Sequence, residues 1–541
     1  MSLFRRHIAL ALLVIAGAAF AQSVPLDALL RGGRIHYDGG RFDRAKEQFT
    51  KALNDYGATA DGPSLATIHA WLGLSEAQLR NFGPAAGHFR TALASDSSIL
   101  KFIQLNEQHT YWSWTALINT ARSAYGQASY DTSLTYALLA LKVDPSKPGT
   151  YALIANSYNA LGRYEEMLGT ARELLRLQAD NAEGLGLVGL YYLQKPDSLW
   201  PKEMKQARWD SCAYYYRQSI AVYEKKYGDA VKMLGDSLKL AAPEKRDEVA
   251  RQLVEKSRSG DQQGLKTYIE KDLGAAKKLQ SIAQLASQLF YAANNLNVSS
   301  SRAGSAMLRA AAESKESTAV RFRTTAESLF AKALKYDPFD FAAMFNLGIA
   351  EYQSQQDSLA EATFQRVVDG AVVALTELPA DWQAKLLALV TADKAPAGNL
   401  SLSDSLLLPV DSILAAKGRF AGGYRWLYFP QVRDRKTYSP LVPEDAAGIF
   451  LSLESPQALE NIYLLLGVTQ TGQGIALGEA KKRDAAKAKF EAGVKSLSSV
   501  IAMNPKNAEA WQNLGHCYRE TDQKDKAEAA YKKYLDLTKQ P

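Results

Sequence analysis

Apolar residues recur at helical spacing through much of the chain, as in Tyr214, Tyr215, Ile220 and Tyr223, and again in Ile282, Leu285, Leu289 and Phe290. Such steps gather one apolar stripe on an α-helix and predict helices that bury a single face. A longer period lies over the short one. Shifted by 34 positions, Tyr130 meets Tyr164, Leu141 meets Leu175, Tyr158 meets Tyr192, Ala326 meets Ala360 and Phe330 meets Phe364. A fixed period of this length marks repeated helical units that bury their stripes against one another. Asp144-Pro145, Asp337-Pro338 and Asn504-Pro505 are expected to end helices, because proline disfavours helical geometry in the residue before it. Ser358 with Glu361 has the spacing of a capping box where another helix should begin.

Particular residues carry the repeat. Trp511, Leu514, Gly515 and Tyr518 spell W-x2-L-G-x2-Y, and Ala326, Phe330, Ala333 and Pro338 supply the second half of such a unit. Gly33, Phe42, Ala45, Phe49 and Ala52 repeat the pattern near the start, as do Leu72-Gly73, Phe82, Ala85, Phe89 and Ala92. The spacing stretches to 40 between Phe49 and Phe89, which the Gly57 to Pro63 loop can absorb. These segments resemble tetratricopeptide (TPR) repeats. The resemblance implies an all-α fold, a TPR-like superhelix of helical hairpins with inserted longer helices and one irregular insertion. Tyr531 and Tyr534 depart from the usual residues of the last helix, which is expected to pack loosely or serve as a cap.

The pattern divides the chain into 1–21, a signal peptide; 22–195, a first repeat array; 196–320, longer helices without the motif; 321–370, central repeats; 371–456, an insertion; and 457–541, final repeats. Within 371–456, Pro379, Pro396, Pro409, Pro430, Pro440 and Pro443 with Gly422-Gly423 make helix hard to sustain. There Tyr424, Trp426 and Tyr428 alternate with Arg425, Leu427 and Phe429, as in a short strand. At the start, Arg5 and Arg6 precede an apolar run from Ile8 to Ala21 that closes on Ala19-Phe20-Ala21, the form of a cleavable secretory leader. An exported mature chain beginning at Gln22, periplasmic or secreted and without a membrane span, is the expectation.

Composition narrows the chemistry. The 541 residues are 47% apolar, enough for sizeable cores, and Lys+Arg exceed Asp+Glu by only 64 to 57, too thin a surplus to suggest nucleic-acid binding. Cys212 and Cys517 are expected to be small buried thiols. No catalytic motif, cofactor fingerprint or metal-ligand spacing of histidines is found, so neither an enzyme nor a cofactor or metal is expected. Gly467 to Gly474 imitates a phosphate loop in spacing but lacks its lysine, and fits a first repeat helix better.

The TPR resemblance implies a non-enzymatic scaffold whose first helices line a groove for a protein or extended peptide partner. The residues it places there are Arg34 and Tyr37, Arg122 and Tyr125, Asn156 and Asn159, Phe345 and Tyr352, and His516 and Arg519. The carboxylate clamp of some TPR proteins does not carry over, since its positions hold Ile118, Arg122, Asn156 and Leu187. A bacterial cell-envelope role, in assembly or maintenance, is implied by resemblance alone. The alternative is a carbohydrate-binding TPR protein of the bacterial envelope, with glycan rings stacking on Tyr424, Trp426 or Tyr428.

Overall fold

The computed structural model describes residues 24–201, 203–392, 399–402, 426–428, 450–452 and 455–539. The leader and Tyr424 lie outside them. Two compact units divide at Tyr191 and Tyr192. The first is built of α1 (Leu26–Asp38), α2 (Phe42–Tyr56), α3 (Gly62–Gln78), α4 (Phe82–Ser95), the short α5 (Ile99–Gln104), α6 (Glu107–Gly126), α7 (Tyr130–Val143), α8 (Pro148–Ala160), α9 (Tyr164–Leu177) and α10 (Ala182–Gln194). Consecutive helices pair as α1/α2, α3/α4, α6/α7 and α8/α9, and each pair stacks on the next.

One contact recurs in these hairpins and explains the sequence pattern. A Cβ added at Gly33 would fall 2.4 Å from the ring of Phe49, and one at Gly73 would fall 2.8 Å from Phe89. Both rings are fully buried. Close approach of two helices thus needs a residue without a side chain opposite a large ring, which fixes glycine and phenylalanine sixteen residues apart. The turns have a second shared requirement. Gly40, Arg80, Ala128 and Gly162 all have positive φ, and the two side-chain-bearing residues among them accept a left-handed conformation that glycine adopts freely.

The second unit opens with α11 (Met204–Leu238), α12 (Pro243–Arg258), α13 (Gln262–Thr267), α14 (Leu279–Ala312) and α15 (Glu316–Tyr336). Helices α11 and α14 run 35 and 34 residues, the inserted longer helices that the sequence predicts. The hairpin principle persists in α14/α15, where a Cβ at Gly304 would lie 2.8 Å from Phe330. Then follow α16 (Phe341–Gln353), α17 (Asp357–Ala371), α18 (Ala380–Ala392), α19 (Pro456–Glu479), α20 (Arg483–Met503), α21 (Ala508–Glu520) and α22 (Lys524–Thr538). Gly348 abuts Phe364 and Gly474 abuts Phe490 in the same way. In the last hairpin Gly515 faces Tyr531 at 3.1 Å, so the motif's departure is absorbed within the contact.

Helix ends fall where proline dictates. α7, α15 and α20 stop at Val143, Tyr336 and Met503, and Asp144, Asp337 and Asn504 turn to φ of −139°, −137° and −135°. The capping box is a correction. α17 begins at Asp357 with no side-chain cap, and Glu361 turns away to pair with Lys489 and Gln470.

The insertion is also more regular than its composition suggests. The run Ala380–Ala392 contains neither proline nor glycine and forms α18. Strands β1 (Val372–Ala374), β2 (Asn399–Ser401), β3 (Trp426–Tyr428) and β4 (Phe450–Ser452) form one antiparallel sheet in the order β1-β4-β3-β2. Val373, Leu427 and Leu451 are fully buried in its centre, against Leu378 and Leu386. Alternation thus does predict the strand at Trp426–Tyr428. What pattern alone misses is its three partners, because strands of three residues carry too few alternating positions to be distinguished from coil.

Candidate partner-binding groove

Register decides which side chains share a face. Because Gly33 meets Phe49 sixteen residues on, the corresponding pair in α6/α7 is Ile118 and Leu134, both buried. Asn119 is therefore the counterpart of Arg34, and Arg122 that of Tyr37. The apparent recurrence of an Arg-Tyr pair is off by one helical turn. Tyr125 stands at the hairpin turn, edge-on to Tyr130 with ring centroids 5.3 Å apart.

Tyr37 corrects the sequence expectation more fully. It is only 7% exposed, packed edge-on against Phe42, Trp71 and His109 at centroid distances of 5.3, 5.2 and 6.0 Å. The first turn of α6 supplies His109, so the chain itself covers this position. The Tyr37 hydroxyl accepts a hydrogen bond from Gln78 Nε2 at 3.3 Å. Arg34 remains exposed, its guanidinium 5.8 Å from the Trp71 ring centre.

Further along the first unit, predicted residues fall on neighbouring first helices. Thirty-four residues on, Arg122 of α6 corresponds to Asn156 of α8 and Tyr125 to Asn159, and α6 touches α8. Arg122 is exposed and its Nη2 extends to within 3.8 Å of the position a Cβ would take at Gly149, the second residue of α8. Asn119, Asn156 and Asn159 are half-buried. Asn119 Nδ2 donates to the carbonyl of Thr115 at 2.8 Å, while the buried Oδ1 of Asn159 has no hydrogen-bond partner. Polar groups this enclosed are normally satisfied. Asn119 is a residue that sequence reasoning missed.

Aromatic residues flank this row. Trp114 Nε1 donates to Thr150 Oγ1 at 2.9 Å, and Lys147 Nζ stands 5.8 Å from the Trp114 ring centre. Arg80 covers one face of Trp112 at 5.4 Å. Tyr111, 53% exposed, and Trp112 border a shallow hollow of about 610 Å³ with Phe42, Gln78, Glu107 and Gln108.

The second unit carries the remaining predicted residues, and they fall in separate places. Phe345 is half-buried against Phe364, with ring centroids 5.8 Å apart, and half-buried Tyr352 joins the same apolar cluster. His516 accepts at Nδ1 from Arg519 Nη2 at 3.0 Å and leans on Phe490; burial depresses its basicity and the Arg519 charge depresses it further. Trp426 is half-buried opposite Ser401 and Ser452. Tyr428 lies on the same strand.

Titratable groups elsewhere show what the interior tolerates. His69 and His88, nineteen residues apart, meet Nδ1 to Nδ1 at 2.9 Å; burial lowers both, and their proximity lowers His69 further. Cys212 and Cys517 are free and buried, with thiols pushed up to about 12 and about 11 by desolvation. Thiols held neutral in this way are poor nucleophiles. Gly467 to Gly474 lies inside α19, where Gln470 accepts from Ser496 Oγ at 2.8 Å and Gln473 donates to the Asp357 carbonyl at 2.8 Å. Gly467 and Gly474 serve helix packing, against Leu497 and Phe490. Among the described residues, no three His, Cys, Asp or Glu side chains are grouped to hold a metal, and no helix is long and apolar enough to cross a membrane.

Family models described as tetratricopeptide repeat match residues 30–98, 319–371 and 497–529. No curated protein matches the chain. Among solved structures, the chain is similar to MamA at 14% identity, covering 37% of this chain and 93% of that one with a TM-score of 0.24. It is similar to YrrB, described as a TPR protein with an unusual peptide-binding site, at 13% identity over 36% of this chain and 84% of that one, with a TM-score of 0.24. A C-terminal part of a TPR repeat-containing protein from Cytophaga hutchinsonii matches at 12% identity over 63% of this chain and 95% of its own, with a TM-score of 0.30. The matched stretches 30–98 and 319–371 contain the glycine-ring contacts Gly33–Phe49, Gly73–Phe89 and Gly348–Phe364, so the chain carries tetratricopeptide repeats.

Proposed function

We propose that this protein is an exported, non-enzymatic scaffold that binds a protein partner, through an extended segment, on the first helices of its first unit. The observation that carries the reading is that Asn119, Arg122, Asn156 and Asn159 lie on the neighbouring helices α6 and α8. A primary amide offers one donor group and one acceptor, matching the carbonyl and amide of a peptide main chain. Asn159 has an acceptor with nothing to accept from, and Arg122 offers its charge to an acidic side chain. Flanking Trp112 and Trp114 supply the large, partly polar surface on which binding energy tends to concentrate. Export rests on the leader at 1–21, and a role in cell-envelope assembly or maintenance rests on it in turn.

Affinity capture with crosslinking from envelope extracts tests this, comparing the intact protein with an Arg122→Ala, Asn159→Ala double variant. Recovery of one partner is expected to fall at least about tenfold in the variant, the scale of losing two directed polar contacts. Equal recovery by both proteins would refute the groove. N-terminal sequencing of the mature protein should start at Gln22, and an intact leader on the functional protein would refute export.

A further inference from the structure

Helices α11 and α15 of the second unit both pack on α14, and charged side chains from the two meet over it. Lys332 Nζ on α15 reaches Glu224 Oε1 on α11 at 2.7 Å. Two turns earlier along α11, Arg217 and, from α15, Arg321 both line a cavity of about 300 Å³. Other arginines of these helices have carboxylates. Arg208 binds Asp197 at 2.5 Å, and Arg323 binds Glu316. Among the described residues, no carboxylate lies within ion-pairing reach of Arg217 or Arg321, although Asp210 also lines the cavity. Two like charges facing one space repel, and an anion entering that space would turn the repulsion into attraction.

The rest of the wall narrows the choice of anion. Thr325 uses its hydroxyl proton on the Arg321 carbonyl at 2.9 Å, so the donors facing the space are the two guanidiniums. Met307, Phe322 and Ala213, at 2%, 6% and 2% exposure, give it an apolar floor. The volume is at the lower end of the range for small-molecule sites, roughly 300–1,000 Å³. We propose that this cavity binds a small oxyanion carried on an apolar body, a carboxylate or a phosphate monoester, with Arg217 and Arg321 as its forked donors. A guanidinium fork matches either group with two parallel hydrogen bonds. Asp210 opposes the anion from the cavity edge and sets a limit on the charge accepted.

Calorimetric titration of the full chain with phenyl phosphate, benzoate and neutral benzyl alcohol tests the site. One anion at least is expected to bind at a single site, and benzyl alcohol is not. The stronger of benzoate and phenyl phosphate identifies the group that the site prefers. Arg217→Gln and Arg321→Gln should each weaken binding by about tenfold, and Asp210→Asn should tighten it by about threefold. Both arginines are exposed, so the variants should keep the helical circular dichroism of the parent. Absence of binding by both anions, equal affinity for benzyl alcohol, or unchanged affinity in both glutamine variants would overturn the proposal.

Discussion

Two hairpins built on the same contact solve one electrostatic problem in opposite ways. In α3/α4, Glu76 stands three residues after Gly73; in α16/α17, Glu351 stands three residues after Gly348. Each is nearly buried, at 5% and 8% exposure. Glu76 meets Lys46 of the preceding helix at 2.8 Å and accepts from Asn81 Nδ2 at 2.7 Å. At the position of Lys46 the second unit has Glu327, which follows Ala326 as Lys46 follows Ala45. Glu327 takes the local donors, accepting from Ser354 Oγ at 2.6 Å and Gln356 Nε2 at 3.1 Å. Glu351 Oε2 is left without a partner, and burial, with repulsion from Glu327 added, raises its carboxyl above the ordinary range. The packing of a repeat is thus shared while its buried charge is free to change, and one exchanged residue converts an ion pair into a carboxylate pair.

The largest expected effect tests what the hairpins share. Gly73→Ala and Gly348→Ala should each cost about 2–3 kcal/mol, because the new carbon overlaps a fully buried ring that cannot retreat. Chemical denaturation with hydrogen exchange read on α3 and α16 measures both, and a cost in only one would break the equivalence. The next effect separates them by sign. Lys46→Gln should destabilise the first hairpin by about 1–2 kcal/mol, below the usual cost of breaking a buried pair because the lysine is partly exposed. Glu351→Gln should stabilise the second by about 0.5–1 kcal/mol, since it replaces a disfavoured charge by an amide of the same shape. Local hydrogen-exchange protection should move in opposite directions.

Acidity gives the smallest effect and the finest distinction. His69 and His88 have basicities lowered by burial, so their contribution is present above the ordinary 6.5 and is lost as pH falls from there through the folded values. Lys46 and Glu76 face His88 and act on it with opposite signs. Glu351 is raised, so its contribution is complete below the ordinary 4.5 and is lost as pH rises through the folded value. Between pH 7.5 and 5, a His69→Gln, His88→Gln protein should lose less stability than the parent. Across the carboxylate range, the advantage of Glu351→Gln should vanish as pH falls. Melting curves over pH for the parent and both variants check this, and parallel curves would remove the histidines and Glu351 from the account.

The sequence is most legible where one residue has one job. Glycine opposite a ring, and aspartate or asparagine before proline, have strict steric causes, and they locate hairpins and helix ends to the residue. The groove is less legible because its residues are read by register, and a slip of one turn exchanges an exposed arginine for a buried tyrosine. Arg122, Asn156 and Asn159 lie on the neighbouring helices α6 and α8, whereas Tyr37 is covered by the first turn of α6. No pattern in α1 announces that cover. The three partners of β3 escape notice for a different reason, since each is only three residues long and lies far along the chain from its neighbour in the sheet. The His69–His88 meeting is equally hidden, because the two residues are distant in any ligand motif and adjacent only once α3 and α4 are paired.

The span between glycine and ring is sixteen residues in five hairpins but 26 in α14/α15, from Gly304 to Phe330. Ten residues have been accommodated beyond the contact without disturbing it. The far end of a hairpin is therefore mechanically independent of its waist. An epitope, a fluorophore tag or a second recognition element grafted at such a tip should leave the stacking of neighbouring repeats as it was.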